Sequence, residues 1–171
     1  IQARTPGPTV IARFIGATAR STAGATLIAD LAQAVGQACG IATGVDDGGA
    51  YDDAVRALLS ALEAAPPDRN LVVLVDALDQ LGASDRARNL AWIPHRLPPH
   101  VRVFVSTASP ELANLLRRKL PASSFVTVPP LPPATSRALL HQWLAMAGRR
   151  LTAEQARNVD AVAEGSGMPL H

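Results

Sequence analysis

"LVVLVDALDQL" occupies residues 71–81. Five apolar residues, Leu71 to Val75, run straight into Asp76, and a second carboxylate follows at Asp79. A short apolar run bounded in this way reads as a buried strand. A carboxylate at the edge of a core costs free energy unless something pairs with it. The stretch therefore predicts a strand whose carboxyl end carries two acids in need of partners. An aspartate can also end a strand simply by capping the turn that follows.

Outward from that strand, apolar runs alternate with helical patterns. "TVIARFIG" (9–16) reads as a strand ending on glycine, and 25–38 as a helix with Ser21 or Thr22 as candidate caps. After the loop "TGVDDGGAYDD", residues 51–64 place Val55, Leu58, Leu59 and Leu62 at helical spacing, and Pro66 and Pro67 stop them. A short helix is expected near 85–92. "VRVFVS" (101–106) is a further strand. Ser109 and Pro110 then start a helix as N-cap and first residue. "SSFVTV" (123–128) is read as the last strand and "PPLPP" (129–133) as a linker. Two helices follow, 135–147 and 152–164, the second opened by a Thr152–Gln155 capping box and closed at Gly165. Strand–helix alternation of this kind predicts an α/β fold with a parallel sheet. The expected boundaries are 1–128 for the α/β core and 129–171 for the helical tail.

Composition narrows the class. At 48% apolar and 18% charged the chain is of the globular type, not the disordered type. No apolar run approaches the ~18 residues of a membrane span. A net charge of +2 does not indicate a nucleic-acid partner. The cluster Arg117-Arg118-Lys119 falls at a helix end, where cations complement the dipole. The single cysteine, Cys39, excludes an internal disulfide and reads as a small buried residue. His95, His100, His141 and His171 show no metal-ligand spacing.

In parallel α/β sheets ligands bind at the carboxyl ends of strands. Asp76 would stand at such an end, where a carboxylate can hold a hydrated Mg²⁺ beside a nucleotide's phosphates. Asp79 could orient or deprotonate a water attacking the γ-phosphate. Ser106 and Thr107 end the neighbouring strand at the same edge. Ser109 already fills the capping role there, which leaves both hydroxyls open to a phosphate or a water.

"VVLVDALDQL" followed by "NLAWIPHRLPPHVRVFVSTASP" resembles the NACHT-type group of STAND P-loop NTPases. The resemblance extends upstream to "VIARFIGATARST" and downstream to "LPPATSRALLHQWLAMAGRRLTAEQ" and "GSGMPL". It implies an ASCE-type P-loop NTPase sheet followed by a partial helical lid. The function implied is a nucleotide-dependent switch in signalling or defence that binds and hydrolyses ATP with Mg²⁺. Asp76 matches the Walker B magnesium aspartate and Asp79 the second acidic position. Ser106 and Thr107 fall where the sensor strand ends. Gly167-Met168-Pro169 resembles the GxP motif of the lid, whose Pro169 packs against the base. Gln80 stands where relatives often carry a further acid. ATP and ADP as ligands, self-oligomerisation and a cytoplasmic location are also implied.

The family's phosphate cradle is a G-x-x-x-x-G-K-[ST] loop. The only lysine here is Lys119, in "LLRRKLPAS", with no glycine loop before it. The chain is thus expected to be a piece of a longer protein that begins after the P-loop and stops inside the lid, and to be inactive alone. Two other readings remain open. One is a degenerate, non-catalytic module acting in interaction or oligomerisation. The other is an AAA+ ATPase with a different lid.

Overall fold

The computed structural model describes residues 7–45 and 49–166. The chain folds as two compact units, Ile1–Ser124 and Phe125–His171. The first is α/β. In chain order it contains β1 (Thr9–Phe14), α1 (Gly24–Cys39), α2 (Tyr51–Glu63), β2 (Leu71–Asp76), β3 (Val101–Val105) and α3 (Pro110–Lys119). The three strands form a parallel sheet in the order β1-β2-β3. This is the predicted fold class, and it is consistent with part of a P-loop NTPase-like sheet.

Alternation along the strands gives the sheet two different faces. One face carries Ile11, Leu71, Val73, Val75 and Val101, all buried. Helix α1 lies against it, and Arg13 on that face reaches the carbonyl of Asp30 at 3.5 Å. Helix α1 is almost wholly apolar and small, with Leu27, Ile28, Leu31, Ala32 and Val35 buried. Helix α2 packs on α1 through Ala54, Leu58, Ala61 and Leu62. Each fully buried Leu or Ile contributes roughly 1.5–3 kcal/mol relative to an exposed one. The core therefore lies between the sheet and this helix pair.

The other face is open. Val10, Phe14 and Phe104 are 60%, 56% and 56% exposed. Val72 and Leu74 are half-buried beside them, and Arg102 stands opposite Val72 in register. The carboxylate Asp76 continues the row Val72, Leu74 at its carboxyl end, opposite Phe14.

The capping predictions divide. At α3 the Ser109 hydroxyl accepts from the Leu112 N–H at 3.3 Å, as its position before Pro110 predicts. Neither Ser21 nor Thr22 caps α1. Its N-cap is Ala23, and the Gly24 N–H donates instead to Asp85 Oδ2, 61 residues away, at 2.7 Å. Ser21 forms a local turn with Thr18. The expected helix at 85–92 is a single 3-10 turn, Arg86–Asn89, because Leu90 adopts φ 58° and breaks it.

A larger correction concerns residues 123–128. They form no strand: a 3-10 turn covers Ala122–Ser124 and irregular chain follows. A strand needs a ladder partner to satisfy its backbone groups. Among the described residues β1 and β3 each pair with β2 alone, and 123–128 pairs with none of the three strands. Val126 and Val128 are 89% and 85% exposed. High β-propensity does not make a strand without a neighbour.

The second unit holds α4 (Pro133–Met146) and α5 (Ala153–Ser166), which contact each other. The capping box is formed: Thr152 N–H donates to Gln155 Oε1 at 3.0 Å, and Gln155 N–H to Thr152 Oγ1 at 3.2 Å. Gly167-Met168-Pro169 lies outside the described residues.

Candidate functional site

The pairing of β2 with β3 decides the site. Register places Val75 opposite Val105, so Asp76 and Ser106 leave their strands side by side. The Ser106 hydroxyl donates to Asp76 Oδ1 and accepts the Ala77 N–H at 2.9 Å. Its main chain also receives Leu78 N–H at 2.9 Å and donates to Val75 at 3.1 Å. Four bonds therefore tie Ser106 to the end of β2. They hold Ala77 at φ 62°, a left-handed conformation that costs a non-glycine residue about 1–2 kcal/mol. Backbone strain of that kind persists where surrounding contacts over-determine it.

Beyond Ala77 a 3-10 turn, Leu78–Gln80, carries the second carboxylate. Leu78 is fully buried and anchors the turn. Asp79 Oδ1 accepts the Ala108 N–H at 2.8 Å and the Thr107 hydroxyl at 3.2 Å. Asp79 Oδ2 accepts Gln80 Nε2 at 3.1 Å. Burial pushes the Asp79 carboxyl up, but the Ala108, Gln80, Asp79 main-chain and Thr107 bonds outweigh it. The net result lies below the ordinary carboxylate value. Thr107 does have a turn duty, contrary to expectation: it accepts the Ser109 N–H at 3.1 Å.

The structure therefore brings Asp76, Asp79, Ser106 and Thr107 to one sheet edge as two carboxylate–hydroxyl pairs, Asp76 with Ser106 and Asp79 with Thr107. Asp76 differs from Asp79 in what is left over. Its second oxygen accepts no hydrogen bond among the described residues, and no basic side chain pairs with it there. A half-exposed carboxylate with one oxygen pinned by a hydroxyl and one free fits the outer face of a hydrated Mg²⁺, which takes few protein ligands.

Part of the chain is similar to known NACHT-containing proteins. The mouse NACHT and WD repeat domain-containing protein 2 is 43% identical over 49 residues, which is 29% of this chain and 3% of that protein. Its human counterpart is 40% identical over 55 residues, 32% of this chain and 3% of the relative. The human NACHT domain- and WD repeat-containing protein 1 is 33% identical over 86 residues, 48% of this chain and 6% of the relative. The chain thus spans only a few per cent of the length of these relatives. No protein-family model matches it. No solved structure gives a significant match.

Two residues at this edge carried no visible signal in the sequence. Asp85 bonds Gly24 N–H and Ala87 N–H (2.8 Å), and so joins the β2–β3 connection to the start of α1. Arg88 donates to the carbonyls of Asp79 and Leu81. Both lie in the long connection between β2 and β3, and no spacing rule distinguishes them from solvated charges. Among the described residues no helix is long and apolar enough to cross a membrane, and no group of three or more His, Cys, Asp or Glu is placed to hold a metal ion.

Proposed function

We propose that this segment is the acidic edge of a nucleotide-dependent switch, an ATP-binding and hydrolysing module of the NACHT kind. The observation that carries the reading is the double carboxylate–hydroxyl pairing at the carboxyl ends of adjacent parallel strands, where α/β sheets place ligands. The partial similarity to NACHT-containing proteins supports it. Asp76, through its free oxygen, would hold the water shell of Mg²⁺; Ser106 fixes the carboxylate's rotation. The ion, when bound, neutralises charge on phosphate oxygens.

Asp79 has a narrower role than a general base. A carboxylate held below its ordinary pKa is a weak proton acceptor near neutral pH. Oδ1 accepts from both Ala108 and Thr107, and Oδ2 accepts from Gln80. Oδ2, the less engaged oxygen, would accept a hydrogen from a water and aim it. Orientation is therefore the function we assign to Asp79, with Thr107 fixing the carboxylate. A phosphate cradle, self-assembly and a cytoplasmic location belong to the longer protein in this proposal, and Pro169 of this chain would pack against the base.

The test is hydrolysis in the longer protein. Asp76→Ala should abolish Mg²⁺-dependent turnover, whereas Asp79→Asn should slow turnover more than it weakens nucleotide binding. Unchanged turnover in Asp76→Ala would make the strand-end carboxylate structural. The 171-residue chain alone should show no micromolar affinity for Mg-ATP by isothermal titration, since it contains no G-x-x-x-x-G-K loop.

A second reading, a non-catalytic interaction module, is favoured by the internal engagement of Asp79. Its bonds to Ala108 and Thr107 also serve simply to dock the head of α3 on the end of β2. Normal assembly of the longer protein with Asp76→Ala, together with no detectable hydrolysis in the wild type, would select that reading.

A further inference from the structure

Arg88 leaves the 3-10 turn Arg86–Asn89 and points back at the site. Its Nη1 donates to the Asp79 carbonyl at 3.3 Å and the Leu81 carbonyl at 3.0 Å. Among the described residues no carboxylate pairs with it. Its charge is directed at two main-chain oxygens that bracket the end of the turn carrying Asp79.

That turn needs an external hold. A 3-10 turn has poorer hydrogen-bond geometry than an α-helix. Here it is closed only by Gln80 N–H to Ala77 (2.9 Å) and Leu81 N–H to Leu78 (3.3 Å). It also starts from Ala77 in the left-handed region. Arg88, by contrast, grows from a fixed base. Ala87 and Leu90 are fully buried on either side of it. Trp92, 2% exposed, donates through Nε1 to the Ala87 carbonyl at 2.9 Å. Lys119 Nζ donates to the Leu90 carbonyl at 2.8 Å, and Asp85 ties the same loop to Gly24.

We propose that Arg88 is a positioning residue: it clamps the Leu78–Leu81 turn so that the Asp79 carboxylate stays bonded to Ala108 and Thr107 at the head of α3. The proposal deepens the assignment of Asp79 as the group that orients water, and rests on that assignment for its functional meaning. The geometry itself is testable without nucleotide. Arg88 touches no reacting atom, so its effect passes entirely through the placement of Asp79.

The readout is the Ala108 amide, which reports the 2.8 Å bond to Asp79 directly. NMR of the 171-residue chain should show the Ala108 amide shifted in Arg88→Met, with hydrogen exchange accelerated at least tenfold. Exchange at Leu58 and Val73, in α2 and β2, should change by less than twofold. Arg88→Lys should restore part of the protection, because an ammonium can still donate to two carbonyls. An Ala108 amide that keeps its shift and its rate, or that speeds up only in step with Val73, overturns the proposal. If Arg88→Met does not fold, Arg88→Gln is read by the same criteria. In the longer protein Arg88→Met should lower kcat about tenfold and leave nucleotide affinity within twofold. Should Ala108 respond while Asp79→Asn leaves kcat unchanged, Arg88 still positions Asp79, and it is the water-orienting reading that fails.

Discussion

Gly24 is the residue whose replacement tests the packing around the site most directly. It opens α1 against the β2–β3 loop. A Cβ there would lie 2.3 Å from Ala87 Cβ and 2.5 Å from Asp85 Oδ1. Neither neighbour is the free end of a flexible side chain. Ala87 is fully buried, and the Asp85 carboxylate is bonded to both Gly24 N–H and Ala87 N–H. Gly24→Ala must therefore push the loop away from the helix. Overpacking of this kind costs about 1–3 kcal/mol. Loss of the carboxylate cap adds about 1–2 kcal/mol. Better helix propensity returns at most about 1 kcal/mol. The expected net loss is about 1–5 kcal/mol, seen as a lower urea midpoint at unchanged slope. Asp85→Ala alone should cost about 1–2 kcal/mol. The double variant should lose less than the sum, because removing the carboxylate relieves part of the clash. Gly24→Ala as stable as the wild type, or more stable, would refute the close approach and with it the role of Asp85 as the cap of α1.

Asp79 carries a pH signature. Its folded pKa lies below the unfolded value, so the stability it contributes is present above the unfolded carboxylate range and is lost as pH falls through the folded pKa. The stability difference between wild type and Asp79→Asn should be constant from about pH 6 to 8 and shrink toward zero below about pH 4; a difference independent of pH would mean the carboxylate's charge is not what holds α3. Burial pushes the Cys39 thiol up, with Arg69 opposing it, so native Cys39 should react slowly with a thiol reagent at pH 8 and rapidly in urea. Fast labelling of the folded protein would show that α1 is not seated as described. The exposed Val10 and Phe14 on β1 and Phe104 on β3, together with the outer edges of both strands, unpaired among the described residues, predict concentration-dependent self-association by size exclusion with light scattering. A compact monomer at all concentrations, melting cooperatively, would contradict that.

Local chemistry was legible in the residues themselves. Leu71–Asp76 is a strand with the predicted bounds, because five apolar residues followed by an aspartate leave few alternatives. Ser109-Pro110 and Thr152–Gln155 cap their helices as written, since each cap is made within four residues of itself. The convergence of Asp76 and Asp79 with Ser106 and Thr107 was also predictable, as a parallel sheet puts the ends of adjacent strands at one edge.

What only the tertiary structure decided is everything that depends on a distant neighbour. Which carboxylate caps α1 could not be read near Gly24, because the answer, Asp85, lies 61 residues on. That Asp79 accepts hydrogen bonds at both oxygens while Asp76 keeps one oxygen free depends on how the head of α3 meets the end of β2. Residues 123–128 have the composition of a strand and are not one, because a strand is defined by the partner that satisfies its backbone, and none of the described strands supplies it. Short-range patterns fix what a segment can become; hydrogen bonds between segments far apart in the chain fix what it is.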